Sequence, residues 1–310
     1  MAFANNRVFY ASHALSINDT TVQGGQSVSV NTNFNLENVF QLGRLAIYDN
    51  VPLDPEVEIT VNKVLDGHPT IFNLATGGGS LVGTANQRSK VELAVGKDTD
   101  GAIGATAGTP NSIVMTGCYI SSLTYTIPVD GNFTEDVTLI GTSKEITNPG
   151  AVAAPTGSPL GGANPAVLRR QNYSSTSTVP NEVQGKRLSQ VTISADLGRE
   201  AIYELGRFEP YHRFVNFPLE ITVAFDVIAD DHDNVDIDVS QVGQCQNPDL
   251  ADEQEIVIRL CNSAGAITYT FNLEDKCTLQ TVAYSGGDTG GGNVTITYTY
   301  LTYNTLTITG

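Results

Sequence analysis

A seven-residue run that occurs twice, once in each half of the chain, constrains this sequence more than any other feature. Leu42-Gly43-Arg44-Leu45-Ala46-Ile47-Tyr48 and Leu197-Gly198-Arg199-Glu200-Ala201-Ile202-Tyr203 share six of their seven residues at a spacing of 155 positions. Pro55 and Pro210 keep that spacing, and Glu58-Ile59-Thr60-Val61 returns 162 positions later as Glu220-Ile221-Thr222-Val223. A repeat of this period implies one structural unit written twice. A further Leu-Gly-Arg, at Leu205-Gly206-Arg207, competes for the alignment, but the longer match favours Leu197-Gly198-Arg199. Gly43 and Gly198 then mark a turn or bulge that a Cβ would hinder.

Units of about 130 to 150 residues are large enough to bury a core. Further matched segments fall on strand patterns. Ser27-Val28-Ser29-Val30-Asn31 alternates as a half-buried strand does, and Gln190-Val191-Thr192-Ile193-Ser194 is its counterpart. Residues 57–64 and 219–227 are rich in β-branched side chains. Cys118 to Tyr125 aligns with Cys277 to Tyr284 at a spacing of 159, and each run leads through a Gly-containing turn into a closing strand, the hairpin signature. A short helix is expected from Pro69 to Ala75, ended by Gly77-Gly78-Gly79. The expected fold is all-β: two tandem sandwich- or barrel-like units, residues 1–147 with an N-terminal arm and residues 181–310. Residues 148–180, rich in Pro, Gly, Ala, Ser and Thr, read as an extended linker that need not bundle the units tightly.

The net charge is -17, divided -7 and -10 between residues 1–155 and 156–310. Such a surface repels nucleic acid and anionic membranes, which argues against a sequence-specific nucleic-acid reader. It suits a wall along which a polyanion passes without sticking. There is no apolar stretch long enough to span a membrane and no signal-peptide pattern at the start, so assembly in a cytoplasm is expected. Cys118, Cys245, Cys261 and Cys277 form no CxxC pair. They read as buried free thiols, with a Cys245–Cys261 disulfide as the alternative.

Candidate chemistry is sparse. The acidic segment 226–238 holds Asp230, Asp231 and Asp233 as weak metal-ligand candidates, but it lacks the Gly and Glu of an EF-hand loop. No two histidines have zinc-motif spacing, and neither a Gly-x-Ser-x-Gly elbow nor a phosphate-loop lysine is present. No catalytic residue and no cofactor are expected. Arg44 and Arg199 read as ion-pair formers that set the geometry of a unit or its contact with the next, with Gly43 and Gly198 beside them.

With these elements in this order, the chain resembles the tail tube (major tail) proteins of tailed bacteriophages. The late hairpin carries the resemblance furthest: Lys276 to Tyr284, a Gly-rich turn, then Val294-Thr295-Ile296-Thr297. The likeness implies a β unit that assembles into stacked rings around a DNA channel. It also implies self-association, with a duplicated chain giving a trimer of pseudo-sixfold symmetry, or a hexamer if one unit alone lines the channel. Other tail proteins would be partners, genomic DNA would pass without specific binding, and the location would be the virion tail. Three other readings stand beside it: another ring-forming tail component such as a terminator or baseplate protein, an extracellular two-domain adhesion or carbohydrate-binding protein with calcium at the acidic segment, and an enzyme with an unrecognised carboxylate site.

Overall fold

The computed structural model describes residues 8–96, 110–147, 152–155, 167–229, 253–286 and 293–310. The fold is all-β apart from short helical segments. In the first half the strands are β1 (His13–Ile17), β2 (Thr20–Thr21), β3 (Gly25–Asn33), β4 (Leu36–Phe40), β5 (Ile47–Pro52), β6 (Glu56–Val64), β7 (Ser89–Val95), β8 (Asn111–Pro128), β9 (Thr134–Gly141) and β10 (Ser143–Thr147). The second half adds β11 (Arg187–Asp196), β12 (Arg199–Ile202), β13 (His212–Val215), β14 (Glu220–Ile228), β15 (Val257–Cys261), β16 (Ile267–Asn272), β17 (Thr278–Ser285), β18 (Thr295–Tyr303) and β19 (Thr307–Thr309). The expected helix is present as α1 (Ile71–Thr76). The Thr70 hydroxyl caps it by accepting from the Asn73 N–H at 3.1 Å, and Gly77 ends it at φ +68°.

Twelve strands form one connected sheet. Its main layer runs β3-β6-β9-β8-β11-β14-β18-β17, antiparallel throughout. Both units contribute four consecutive strands to this layer, and they meet where β8 pairs with β11. Alternate side chains explain why the layer forms. Val57, Ile59 and Val61 of β6 point into the core, as do Ile221, Val223 and Phe225 of β14, while the residues between them face outward. The long strand β8 pairs first with β7 and β10, then turns to pair with β9 and β11. Gly117, at φ +66°, sits where it changes partners, a conformation that favours glycine. In the second half β16 and β17 do the same work as two strands, and β15-β16-β19 form the smaller sheet.

The hydrogen-bond registers of the two halves carry matching irregularities. The β3–β6 ladder shifts register between Gly25 and Ser27, and the β11–β14 ladder between Leu188 and Gln190. The β8–β9 ladder shifts between Ile120 and Ser122, and the β17–β18 ladder between Leu279 and Thr281. The first pair of shifts gives a spacing of 163, as Val28 to Val191 does, and the second gives 159, as Cys118 to Cys277 does. Both spacings agree with the strand patterns in the sequence.

The seven-residue run does not agree. The β4–β5 hairpin pairs Leu36 with Pro52 and Val39 with Asp49, while β12–β13 pairs Arg199 with Val215 and Ile202 with His212. The paired positions of these hairpins correspond at a spacing of 163. Leu42-Gly43-Arg44 is therefore equivalent to Leu205-Gly206-Arg207, and the alignment on Leu197-Gly198-Arg199 is corrected. The physical reason is the turn. Arg44 N–H donates to the Gln41 carbonyl and Arg207 N–H to the Glu204 carbonyl, with Gly43 and Gly206 at φ +85° and +91°. Both tips are the same Gly-requiring β-turn. Ile202 lies on the outgoing strand of its hairpin and Ile47 on the returning strand, so they cannot be counterparts. The Glu-Ile-Thr-Val match is likewise displaced by one pleat: through β9 and β18, Ile59 corresponds to Val223.

The units are not loosely strung. One apolar core runs through both. Part of the expected linker is packed into it: Leu168 N–H donates to the Leu65 carbonyl, Ser174 N–H to the Arg259 carbonyl, and Leu168 itself is buried. Tyr125 of β8 packs on Phe271 of β16 with ring centroids 4.6 Å apart.

Candidate assembly surfaces

Two hairpins, each a separate two-stranded sheet, carry exposed apolar residues at their tips. At the β4–β5 tip Leu42 and Leu45 are as exposed as in an extended chain, and at the β12–β13 tip Leu205 is equally bare. Phe40, Tyr48, Tyr203 and Phe208 extend these faces. Exposed apolar side chains grouped in this way make the tips candidate interaction sites. Arg44 lies on the first tip and is exposed. Gly43 holds its turn.

Arg199 is elsewhere and behaves differently. It begins β12, where Gly198 takes φ +44° and its N–H is held by Asp196 Oδ1 at 3.1 Å. Its guanidinium reaches from the second unit into the first. It donates to the Ile120 carbonyl at 2.6 Å, to Asn86 Oδ1 at 3.3 Å and to the Ala85 carbonyl, and lies over the Tyr119 ring at 5.2 Å. Burial lowers its pKa to about 10, with Tyr119 pulling the other way. The partners found for Arg199 are thus carbonyls, an amide and a ring, so the expected ion pair is corrected. The inter-unit ion pair is made instead by Arg213 of β13. Its guanidinium lies 3.4 Å from Asp54 and 3.3 Å from Glu56 of the first unit, with the Arg213 and Asp54 side chains nearly buried. Burial raises the Asp54 carboxyl while Arg213 draws it down. Arg213 carries no motif in the sequence, and only its spacing after the Leu-Gly-Arg turn could have pointed to it.

A second polar group was also not legible. Glu135 of β9 is wholly buried. It accepts from the Ile71 N–H at 2.7 Å, the Phe72 N–H at 3.2 Å and the Tyr125 hydroxyl at 2.8 Å. Desolvation raises its pKa, against the opposing pull of Lys63 and these hydrogen bonds. The group fastens the start of α1 to the main layer. Beside it Tyr269 of the second unit accepts from the Gly67 N–H at 2.8 Å and donates to the His68 carbonyl at 2.5 Å.

Cys118, Cys261 and Cys277 are free thiols, and burial raises the pKa of Cys118 and of Cys277 to about 12. The alternative disulfide involves Cys245, which lies outside the described residues, as do Asp230, Asp231 and Asp233. Among the described residues no helix is long and apolar enough to cross a membrane.

No family model matches the sequence, and no curated protein matches it. Solved structures that resemble the chain include an anti-feeding prophage cap, described as the tube terminating cap, at 14% identity and a TM-score of 0.36, covering 47% of this chain and 99% of that one. Two others come from an extracellular contractile injection system in its extended state. They are its sheath/tube terminator (14% identity, TM-score 0.34, covering 44% of this chain and 92% of that one) and its sheath-tube complex (14%, 0.35, 46% and 91%).

Proposed function

We propose that this chain is a structural component of a phage-type tail, a tube protein whose copies join edge to edge into rings that stack around a channel for DNA. The observation that carries this reading is the β8–β11 seam. Two copies of one unit already associate there by strand pairing, from Gln190 opposite Pro128 to Asp196 opposite Ser122. The chain thus contains both sides of a head-to-tail contact, and such contacts close into rings or extend into filaments. Three chains of two units each would give a ring of pseudo-sixfold symmetry.

The outward face of the main layer supports a channel. Thr60, Thr126, Thr192 and Thr299 stand on it with Glu58, Asp136 and Asp226, and Arg187 lies at its rim. Asn62 donates to Asp136 at 2.7 Å and Thr297 to Asp226 at 2.6 Å, which holds these acids in place. DNA adheres to proteins mainly through Lys and Arg on phosphate. A wall of hydroxyls and carboxylates lets a duplex slide. The role requires no catalytic step and no cofactor. Partners would be further copies, other tail proteins at the tube ends, and genomic DNA in transit, in the virion tail.

Negative-stain microscopy of the purified protein tests this reading. Rings, or tubes of stacked rings, are expected. Isolated particles at every concentration would overturn it.

A further inference from the structure

The seam leaves matching edges unused. β8 and β11 pair within the chain, but their counterparts are edge strands: among the described residues β17 pairs only with β18, and β3 only with β6. Burial records the same vacancy on both edges. Tyr125 of β8 is fully buried, while Tyr284, its equivalent on β17, is 50% exposed. Leu197, which follows β11, is fully buried and donates its N–H to the Ser121 carbonyl across the seam, while its equivalent Phe34, following β3, is 70% exposed. A groove of about 340 Å3, lined in part by Leu15, Val28, Val61 and Leu93, runs under β3.

We infer that β17 of one copy pairs antiparallel with β3 of a second copy in the register of the β8–β11 seam. The inference rests on the self-assembly proposed above and names its contact. Within the chain Ile193 stands opposite Tyr125 and Thr192 opposite Thr126. Carried over by the ladder equivalences, Val30 stands opposite Tyr284 and Ser29 opposite Ser285. Tyr284 then enters the groove under β3, and the Phe34 N–H meets the Gln280 carbonyl of the neighbour. A second copy is the fitting occupant because each edge has, in this same chain, a partner strand of the other edge's type. Register is well specified here, since the facing of each strand is already set by its pairing within the chain, and a slip of one residue would set Tyr284 opposite an outward-facing residue of β3.

The test mixes two single variants, Ser29→Cys and Ser285→Cys, under mild oxidation. Both positions lie on the outward face, and the mixed pair Ser27→Cys with Ser285→Cys, one pleat out, is the comparison. A covalent dimer is expected in the first mixture, with about tenfold less in the second. Rings that form without preferential crosslinking would overturn the pairing and leave self-assembly standing. A double variant, Ser29→Cys with Ser285→Cys, that closes only on itself would show that the chain joins its own edges, and would also overturn it. Wild-type protein that stays monomeric would remove the pairing and the self-assembly together.

Discussion

Arg213 of β13 and Asp54, just before β6, form an ion pair across the two units, Nη2 to Oδ2 3.4 Å, with both side chains less than one tenth exposed. Removing one partner leaves the other charge buried alone, which costs about 3 kcal/mol. Arg213→Ala should therefore lower the urea midpoint of the monomer markedly. Arg44→Ala and Arg207→Ala, at exposed hairpin tips, should stay within about 0.5 kcal/mol of wild type.

Arg199→Ala should also act on folding. It removes the donors that satisfy the Ile120 and Ala85 carbonyls at the seam, and an unsatisfied buried acceptor costs about 1–3 kcal/mol. Because several carbonyls are met by one planar fork, Arg199→Lys should recover little of this. Denaturant unfolding at low protein concentration, where copies do not associate, checks both variants. A variant that unfolds like wild type would return Arg199 to a purely inter-chain role.

The contrast among these arginines measures how far the sequence could be read. The all-β class, α1 and the spacings of 163 and 159 were legible because they rest on alternation and glycine turns, which are local. The Leu-Gly-Arg alignment failed for a specific reason. Ala-Ile-Tyr follows the turn in the first hairpin and precedes it in the second, so the longest run of identities joined opposite strands. Arg213–Asp54, the buried Glu135 and the unequal burial of Tyr125 and Tyr284 depend on contacts between distant segments, and no local pattern reports them.

Glu135 gives a pH dependence. Its folded pKa is raised, chiefly by desolvation, so between the unfolded value and that raised value the folded state holds the proton more tightly. Its stabilising contribution is therefore fully present below the unfolded pKa and is lost as pH rises through the folded one. Glu135→Gln lacks this limb. Urea titrations at about pH 4 and pH 7 should show wild type losing stability relative to Glu135→Gln as pH rises, since ionisable carboxyls start near pH 4. A constant difference would contradict the assignment.

The tip leucines should matter for association and not for folding. Leu42 and Leu205 are fully exposed, so Leu42→Ser with Leu205→Ser should leave the melting temperature unchanged within about 2 °C. Sedimentation velocity should show fewer or shorter assemblies. Unchanged assembly would release the hairpins from this role.

In the proposed ring one chain supplies both sides of the contact between neighbours. Native mass spectrometry of the smallest closed species tests it most directly. The proposed ring should have the mass of three 32.9 kDa chains. A single chain at every concentration would contradict it.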